Sequence, residues 1–173
     1  VLTIQMAYWK YATGQWVYYS YTNERFDFLH PKIWKGLFSY RKGWFVYTPL
    51  AMLLCLGFWP LYQRKRSLFF PFAVFVAANI YIVFSWNIWH YGGCFSCRPM
   101  TECNAVLALP ACALVHHISV ARSALARRIA TVIGGLAVLL NIFQTYQFSL
   151  GIIHHDRMTR EYYWKVFGKL KKD

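Results

Sequence analysis

The stretch Ser67–Trp86, SLFFPFAVFVAANIYIVFSW, carries no charged residue along its whole length. About 20 apolar residues, rising 1.5 Å each as an α-helix, cover the ~30 Å hydrocarbon core of a bilayer. Asn79 is its one strongly polar interior group. Lipid offers an amide no partner, so Asn79 is expected to face other helices. Working outward, three more apolar runs share this pattern. Gly43–Tyr62, GWFVYTPLAMLLCLGFWPLY, is uncharged, with Pro49 placed to kink it and Pro60 to help end it. Asn104–Ala121 contains Pro110 and carries His116-His117 near its far end. Ile129–Gln147 contains Gly134-Gly135, a pair that permits close helix approach, then Asn141, Gln144 and Gln147 along its last turns.

The composition agrees: 58% hydrophobic, 20% aromatic and 14% charged, where a soluble domain carries about 25% charged residues. The class expected is an all-α integral membrane protein with about four transmembrane helices, near 43–62, 67–86, 104–121 and 129–147. Strands should be essentially absent, because an open sheet edge has no partner in lipid.

The net charge of +13 would suggest nucleic acid on a soluble chain. Here the basic residues lie between and after apolar runs, which fits membrane lipids with anionic headgroups and no nucleic acid. Arg64, Lys65, Arg66, Arg122, Arg127 and Arg128 form two tight basic turns on one side of such a bundle. More Lys and Arg lie on the other side, but the turns are denser. The positive-inside rule weighs short loops most, so charge alone leaves the orientation open.

The opening, VLTIQMAYWKYATG, has no initiator Met, basic n-region or cleavage site. It reads as the end of an earlier helix in a longer protein. Residues 1–42 then form an interfacial connector, 43–147 the four-helix region, and 148–173 a basic tail. Pro31 should open a short helix whose Ile33, Trp34, Leu37 and Phe38 lie on the bilayer surface. In the tail, Asp156 is a candidate N-cap for an amphipathic helix near 157–170, with Tyr163, Val166, Phe167 and Leu170 on one face.

Between the second and third runs lies the motif loop, 87–103, read together with its flanks as SWNIWHYGGCFSCRPMTE. Trp86, Trp89, His90 and Tyr91 bring amphipathic rings to a membrane boundary. Gly92-Gly93 allows a sharp turn, and Arg98 and Glu102 follow it. The plain reading is an aromatic cap with an Arg98–Glu102 ion pair. The functional reading puts Arg98 in a polar cleft beside Glu102 and the aromatics, because a guanidinium facing hydrocarbon is costly. His90, Cys94, Cys97 and Cys103 are donor types that zinc accepts. The usual second pair at longer spacing is missing, so no metal is expected and the four donors should not converge. A disulfide within the loop is the other possibility. Cys55 and Cys112, inside apolar runs, read as small core residues.

Three segments carry a resemblance: NERFDFLHPKIWKGLFSYRKGWFVYTPL, IYIVFSWNIWHYGGCFSCRPMTECNAVLALP and NIFQTYQFSLGIIHHDRMTREYYWKVF. In the order of W-x-x-W-x-Y-G-G, R-P-x-x-E and H-D-x-M-T, they resemble the C-terminal half of polytopic membrane proteins from Bacteroidetes. Those in turn resemble glycosyltransferases of the GT-C type, such as the dolichyl-phosphate-mannose-dependent mannosyltransferases. Cys94, Cys97 and Cys103 depart from that pattern, which carries small or polar residues there.

The resemblance implies a bacterial inner-membrane protein with the motif loop in the periplasm. It also implies sugar transfer from a polyprenyl-phosphate donor to a lipid or glycan acceptor, without a cofactor. Arg98 would bind the phosphate, and Trp86, Trp89 and Tyr91 would stack on sugar or flank the prenyl tail. Glu102 would orient Arg98 or hold a sugar hydroxyl, and His90 joins this substrate-binding group, while His155 and Asp156, with His154, would line the acceptor side or form an interfacial cap. The acidic catalytic residues of such enzymes lie in an earlier loop, so no catalytic residue is assigned here. The alternative is a non-catalytic scaffold or transporter fragment that binds lipid.

Overall fold

A computed structural model describes residues 2–19, 21 and 23–171. Among these the chain is helical, and its one extended pairing is an isolated antiparallel bridge between Phe26 and Trp86. After α1 (Leu2–Thr13) and the connector come α2 (Ile33–Phe38), α3 (Trp44–Tyr47), α4 (Pro49–Cys55), α5 (Phe58–Arg64) and α6 (Arg66–Phe84). A 3-10 helix (Arg98–Glu102) then leads into α7 (Cys103–Ser119), α8 (Ala124–Ser149) and α9 (Arg160–Val166).

Two helices, α6 and α8, are long and apolar enough to cross a membrane. Both leave large apolar side chains exposed, among them Phe70, Val74 and Ile82 on α6 and Val132, Leu139 and Ile142 on α8. The second and fourth apolar runs therefore form single helices, and the third forms α7, 17 residues long with Pro110 inside it.

The first run does not form one helix. It is divided among α3, α4 and α5. Thr48 precedes Pro49 and is pushed out of the helical region, to φ −135° and ψ 65°. Pro60 lacks the N–H that would bond the carbonyl of Leu56, and the chain turns at Leu56-Gly57 before α5 begins. That corner seats on α7. A Cβ at Gly57 would lie 1.9 Å from the Pro110 carbonyl oxygen, so only glycine fits. Close approach was expected at Gly134-Gly135, yet nothing lies within 4 Å of a Cβ at either. The close approach to α7 is made at Gly57 instead.

Two clusters hold the molecule together. Trp44, Ala51, Val76, Phe84, Met100 and Leu107 join α3, α4, α6, the 3-10 helix and α7. Gly36 of α2 lies over the buried Phe84 ring, where a Cβ would come within 2.1 Å. Ile33 and Leu37 pack on this cluster, whereas Trp34 and Phe38 stack outside it with ring centroids 4.5 Å apart. The face expected to lie on the bilayer is thus split between core and surface.

The second cluster is Tyr47, Ile152, Ile153, Met158, Tyr163 and Val166. Tyr163 and Val166, read as a bilayer-facing stripe, are buried here, which turns α9 into a clasp on the protein itself. The clasp is fastened by α8. Gln144 Nε2 donates to the Tyr163 hydroxyl at 2.6 Å and to the Val46 carbonyl at 3.2 Å. Gln147 Nε2 donates to the carbonyls of Val166 and Lys169, both at 2.9 Å.

Caps explain where the last two helices start. Ser123 Oγ accepts from the Ala126 N–H at 3.2 Å, so α8 begins five residues before the apolar run and takes Arg127 and Arg128 into its first turns. Thr159 Oγ1, not Asp156, caps α9 by accepting from the Tyr162 N–H at 3.2 Å. Asp156 is engaged elsewhere. Asn79 is half-buried on α6, and its Oδ1 finds no hydrogen-bond partner.

Candidate functional site

The end of α6 that delivers Trp86 is where the connector, the motif loop and the tail meet. The connector runs antiparallel to the residues leaving α6. The Asp27 N–H donates to the Ser85 carbonyl at 2.7 Å, and the Asn87 N–H donates to the Arg25 carbonyl at 3.0 Å. Asn87 locks the pairing with its side chain: Oδ1 accepts from the Arg25 N–H at 3.2 Å and Nδ2 donates to the Asn23 carbonyl at 3.0 Å. This zipper sets the Trp86 ring edge-on to Phe26 at 4.7 Å and to Tyr21 at 5.6 Å.

These aromatics enclose an open cavity of about 780 Å³ lined by Tyr19, Tyr21, Glu24, Phe26, Trp86, Ile88, Tyr91 and Gly92. Glu24 is its one acidic group. The far wall depends on two successive residues with left-handed backbone, Tyr91 at φ 50° and Gly92 at φ 68°. A tyrosine seldom takes that conformation, and such outliers persist only where surroundings hold them. Here the Tyr91 hydroxyl donates to the Val83 carbonyl at 2.6 Å. Burial pushes the phenol up to about 12, so it remains a donor at neutral pH.

Behind the cavity lies a polar cluster. Arg41 Nη2 reaches both carboxylate oxygens of Asp156, at 3.0 and 3.2 Å, and its Nε donates to the Asp156 carbonyl at 3.0 Å. Burial opposes ionisation of Asp156, but the bonds and charge of Arg41, with His90 and Lys42 beyond, hold it below the usual carboxylate range. Lys42 is only 3% exposed. Its Nζ donates to the Cys94 carbonyl and stands 3.9 Å from the Cys94 sulfur. Burial lowers its pKa, and so does Arg41; Cys94 and Asp156 work the other way.

His90 joins the two regions. Its Nδ1 is 3.3 Å from Asp156 Oδ1, close enough for an ion pair but misaligned for a hydrogen bond, so this buried nitrogen has no hydrogen-bond partner. Burial first, then Arg41 and Lys42, lower its pKa against the pull of Asp156 and Glu24. A neutral ring results, exposed to the fields of both the cavity's carboxylate and the cluster's.

The remaining expected residues are placed as follows. Trp89 is half-buried, edge-on to His90 at 5.9 Å. His154 Nδ1 accepts from the N–H groups of Asp156 at 3.1 Å and Arg157 at 2.9 Å, and its ring stacks on His155 at 4.2 Å. His155 is exposed and lies beside Gly93. Arg98 and Glu102 are exposed at the two ends of the 3-10 helix and form no ion pair among the described residues. That helix packs against α6, but neither residue lines the aromatic cavity. The cleft expected around Arg98 is instead built by the connector.

The five cysteines are free thiols. Among the described residues no group of three or more His, Cys, Asp or Glu side chains is placed to hold a metal ion. Sequence reasoning passed over Tyr19, Tyr21, Glu24 and Phe26 as connector, and Arg41 and Lys42 as surface charge. One signal was available: Arg41-Lys42 directly abuts the apolar run that starts at Gly43, where a cation must find a partner or snorkel. Compared with known protein families, with curated proteins and with solved structures, the chain matches none.

Proposed function

We propose that this chain is the cavity-bearing part of a membrane glycosyltransferase-like protein that takes a polyprenyl-phosphate sugar and passes the sugar to a lipid or glycan acceptor. The observation that carries this reading is the aromatic cavity with a single carboxylate, at the boundary end of a helix able to cross a membrane. A sugar ring offers apolar C–H faces and polar hydroxyl edges. Trp86, Tyr21 and Phe26 suit the faces, and Glu24 suits a hydroxyl, as a charged acceptor makes the stronger bond. Arg98, exposed and without an ion pair among the described residues, has its planar fork available for the phosphate.

The membrane arrangement that goes with it has four layers: α3–α5 together, α6, α7 and α8. A broken helix is tolerated at membrane depth where protein surrounds it, and α4 and α5 pack against α6, α7 and α8. The membrane is the bacterial inner membrane, with the cavity on the periplasmic side.

The test uses the protein in lipid nanodiscs with two probes, a polyprenyl phosphate bearing a hexose and the bare polyprenyl phosphate. The sugar-bearing lipid should bind more tightly, and Trp86→Ala or Glu24→Gln should erase the difference. Arg98→Ala should weaken both probes by roughly ten- to a hundredfold, the loss of a charge-assisted hydrogen bond. Arg98→Lys should recover part of that, since an ammonium lacks the fork. Transfer of labelled sugar in membranes then separates a transferase from a binder. Equal binding of the two probes by the unaltered protein would sink the reading.

A further inference from the structure

At the end of the bundle opposite the cavity, the sequence places cations and no counter-charge. The chain has six acidic residues: Glu24, Asp27, Glu102, Asp156, Glu161 and Asp173. All belong to the connector, the 3-10 helix or the tail. The turns α5–α6 and α7–α8 carry Arg64, Lys65, Arg66, Arg122, Arg127 and Arg128 with no acid among them. In the surface between α4, α7 and α8 at this end lies an apolar groove of about 540 Å³, within the usual range for a small-molecule site. Leu50, Leu54, Leu114, Ile118 and Ile133 line it, and Arg127 is its one charged residue.

Gly134 lies in the groove wall, and a side chain added there would meet open space. Arg127 is already oriented. Its Nη1 donates to the Ala121 carbonyl at 2.6 Å, tying the guanidinium to the end of α7.

We propose that this groove binds an anionic phospholipid, with one acyl chain along the leucines and the phosphate at Arg127. The charge pattern selects the occupant. A second protein helix would satisfy the apolar walls but would not of necessity bring negative charge to Arg127, the groove's one cation, or to the basic turns at this end. An anionic lipid supplies both the chain and the negative charge, and basic residues near a membrane surface attract such lipids at about 1 kcal/mol each. The site is separate from the aromatic cavity and does not depend on sugar chemistry.

The experiment is native mass spectrometry of the full chain released from mild detergent after incubation with phosphatidylglycerol or with phosphatidylcholine of identical acyl chains. The expected result is one phosphatidylglycerol retained per chain and little phosphatidylcholine. Gly134→Leu, whose Cβ enters open space and whose branch occupies the groove, should abolish retention. Arg127→Gln should weaken it roughly tenfold or more, while Arg127→Lys keeps most of it because the charge remains. A thermal scan of each variant in the same detergent confirms an intact fold. Three results would overturn the proposal: equal retention of both lipids, unchanged retention in Gly134→Leu, or displacement of phosphatidylglycerol by polyprenyl phosphate at the same site.

Discussion

Replacing Gly57 by alanine places one methyl group where the structure has no room for it. The new Cβ would sit 1.9 Å from the Pro110 carbonyl oxygen and 2.5 Å from its carbon. To restore an ordinary 3.4 Å contact, two helices must separate by about 1.5 Å, because the obstacle is backbone and cannot rotate away. Separation at this corner loosens the packing of α4 and α5 on α7 and opens the cluster around Ala51 and Leu107. Overpacking of this kind costs about 1–3 kcal/mol. For a chain of this size that corresponds to a fall in Tm of roughly 2–12 °C.

Gly134→Ala is the matched control: the same chemical change on a helix, with nothing within 4 Å of the new methyl. It should stabilise by up to about 1 kcal/mol, the helix-propensity gain of alanine over glycine. Both variants are measured by tryptophan fluorescence during heating in one detergent. Effects of opposite sign are expected. A Gly57→Ala protein as stable as the unaltered chain, or a Gly134→Ala protein equally damaged, would refute the assignment of the close contact to Gly57.

Other outcomes follow from the clusters. Burial, Arg41 and Lys42 hold His90 below its ordinary value of about 6.5, so the unfolded chain accepts a proton at this ring before the folded one does. Stability should be full above about pH 6.5 and fall as pH drops below it, and His90→Gln should flatten that decline in thermal scans. Asp156, held low, gives up its contribution only as pH falls below about 4. Gln147→Ala removes the amide that ties α8 to the carbonyls of Val166 and Lys169, costing about 0.5–1.5 kcal/mol for each hydrogen bond lost. Faster tryptic cleavage within α9 would register it. Ser123→Ala removes the cap of α8 and should cost about 0.5–2 kcal/mol, readable in the same thermal scans.

The residues that announced themselves in the sequence were those governed by local rules. A run such as Ser67–Trp86 forms a helix because nothing within it prefers otherwise, and it did so almost to the residue. Where a second local rule competes, the apolar pattern alone does not decide where a helix ends. Pro60 was read as an end, but its missing N–H also breaks the helix four residues earlier, at Leu56. Ser123 caps α8 six residues before the apolar run at Ile129, with Arg127 and Arg128 between them, so the edge of the run does not mark the helix start. The cavity was hidden for another reason. Its walls come from Tyr19–Phe26 and Trp86–Gly92, and the pairing that joins them is backbone to backbone apart from Asn87. No side-chain pattern advertises such a pairing. Trp86 and Tyr91 stand out in the sequence and line the cavity, whereas Glu24 does not stand out, since one carboxylate in a charged connector looks like any other.

The tie between Arg41 and Asp156 spans 115 positions in the chain, and it dictates an order of events during synthesis. The packing of α4 and α5 on α7 can form once α7 has emerged, because it needs nothing made after that helix. The boundary end cannot. Until the segment after α8 has left the ribosome, Asp156 is not available to Arg41, Tyr163 is not available to Gln144, and Tyr47 lacks Ile152, Ile153, Met158, Tyr163 and Val166 of its cluster. Until then Arg41 stands at the boundary without the carboxylate that neutralises it, and the segment after α8 is what closes this end. A chain stopped after α8 would keep its helices and never finish its head.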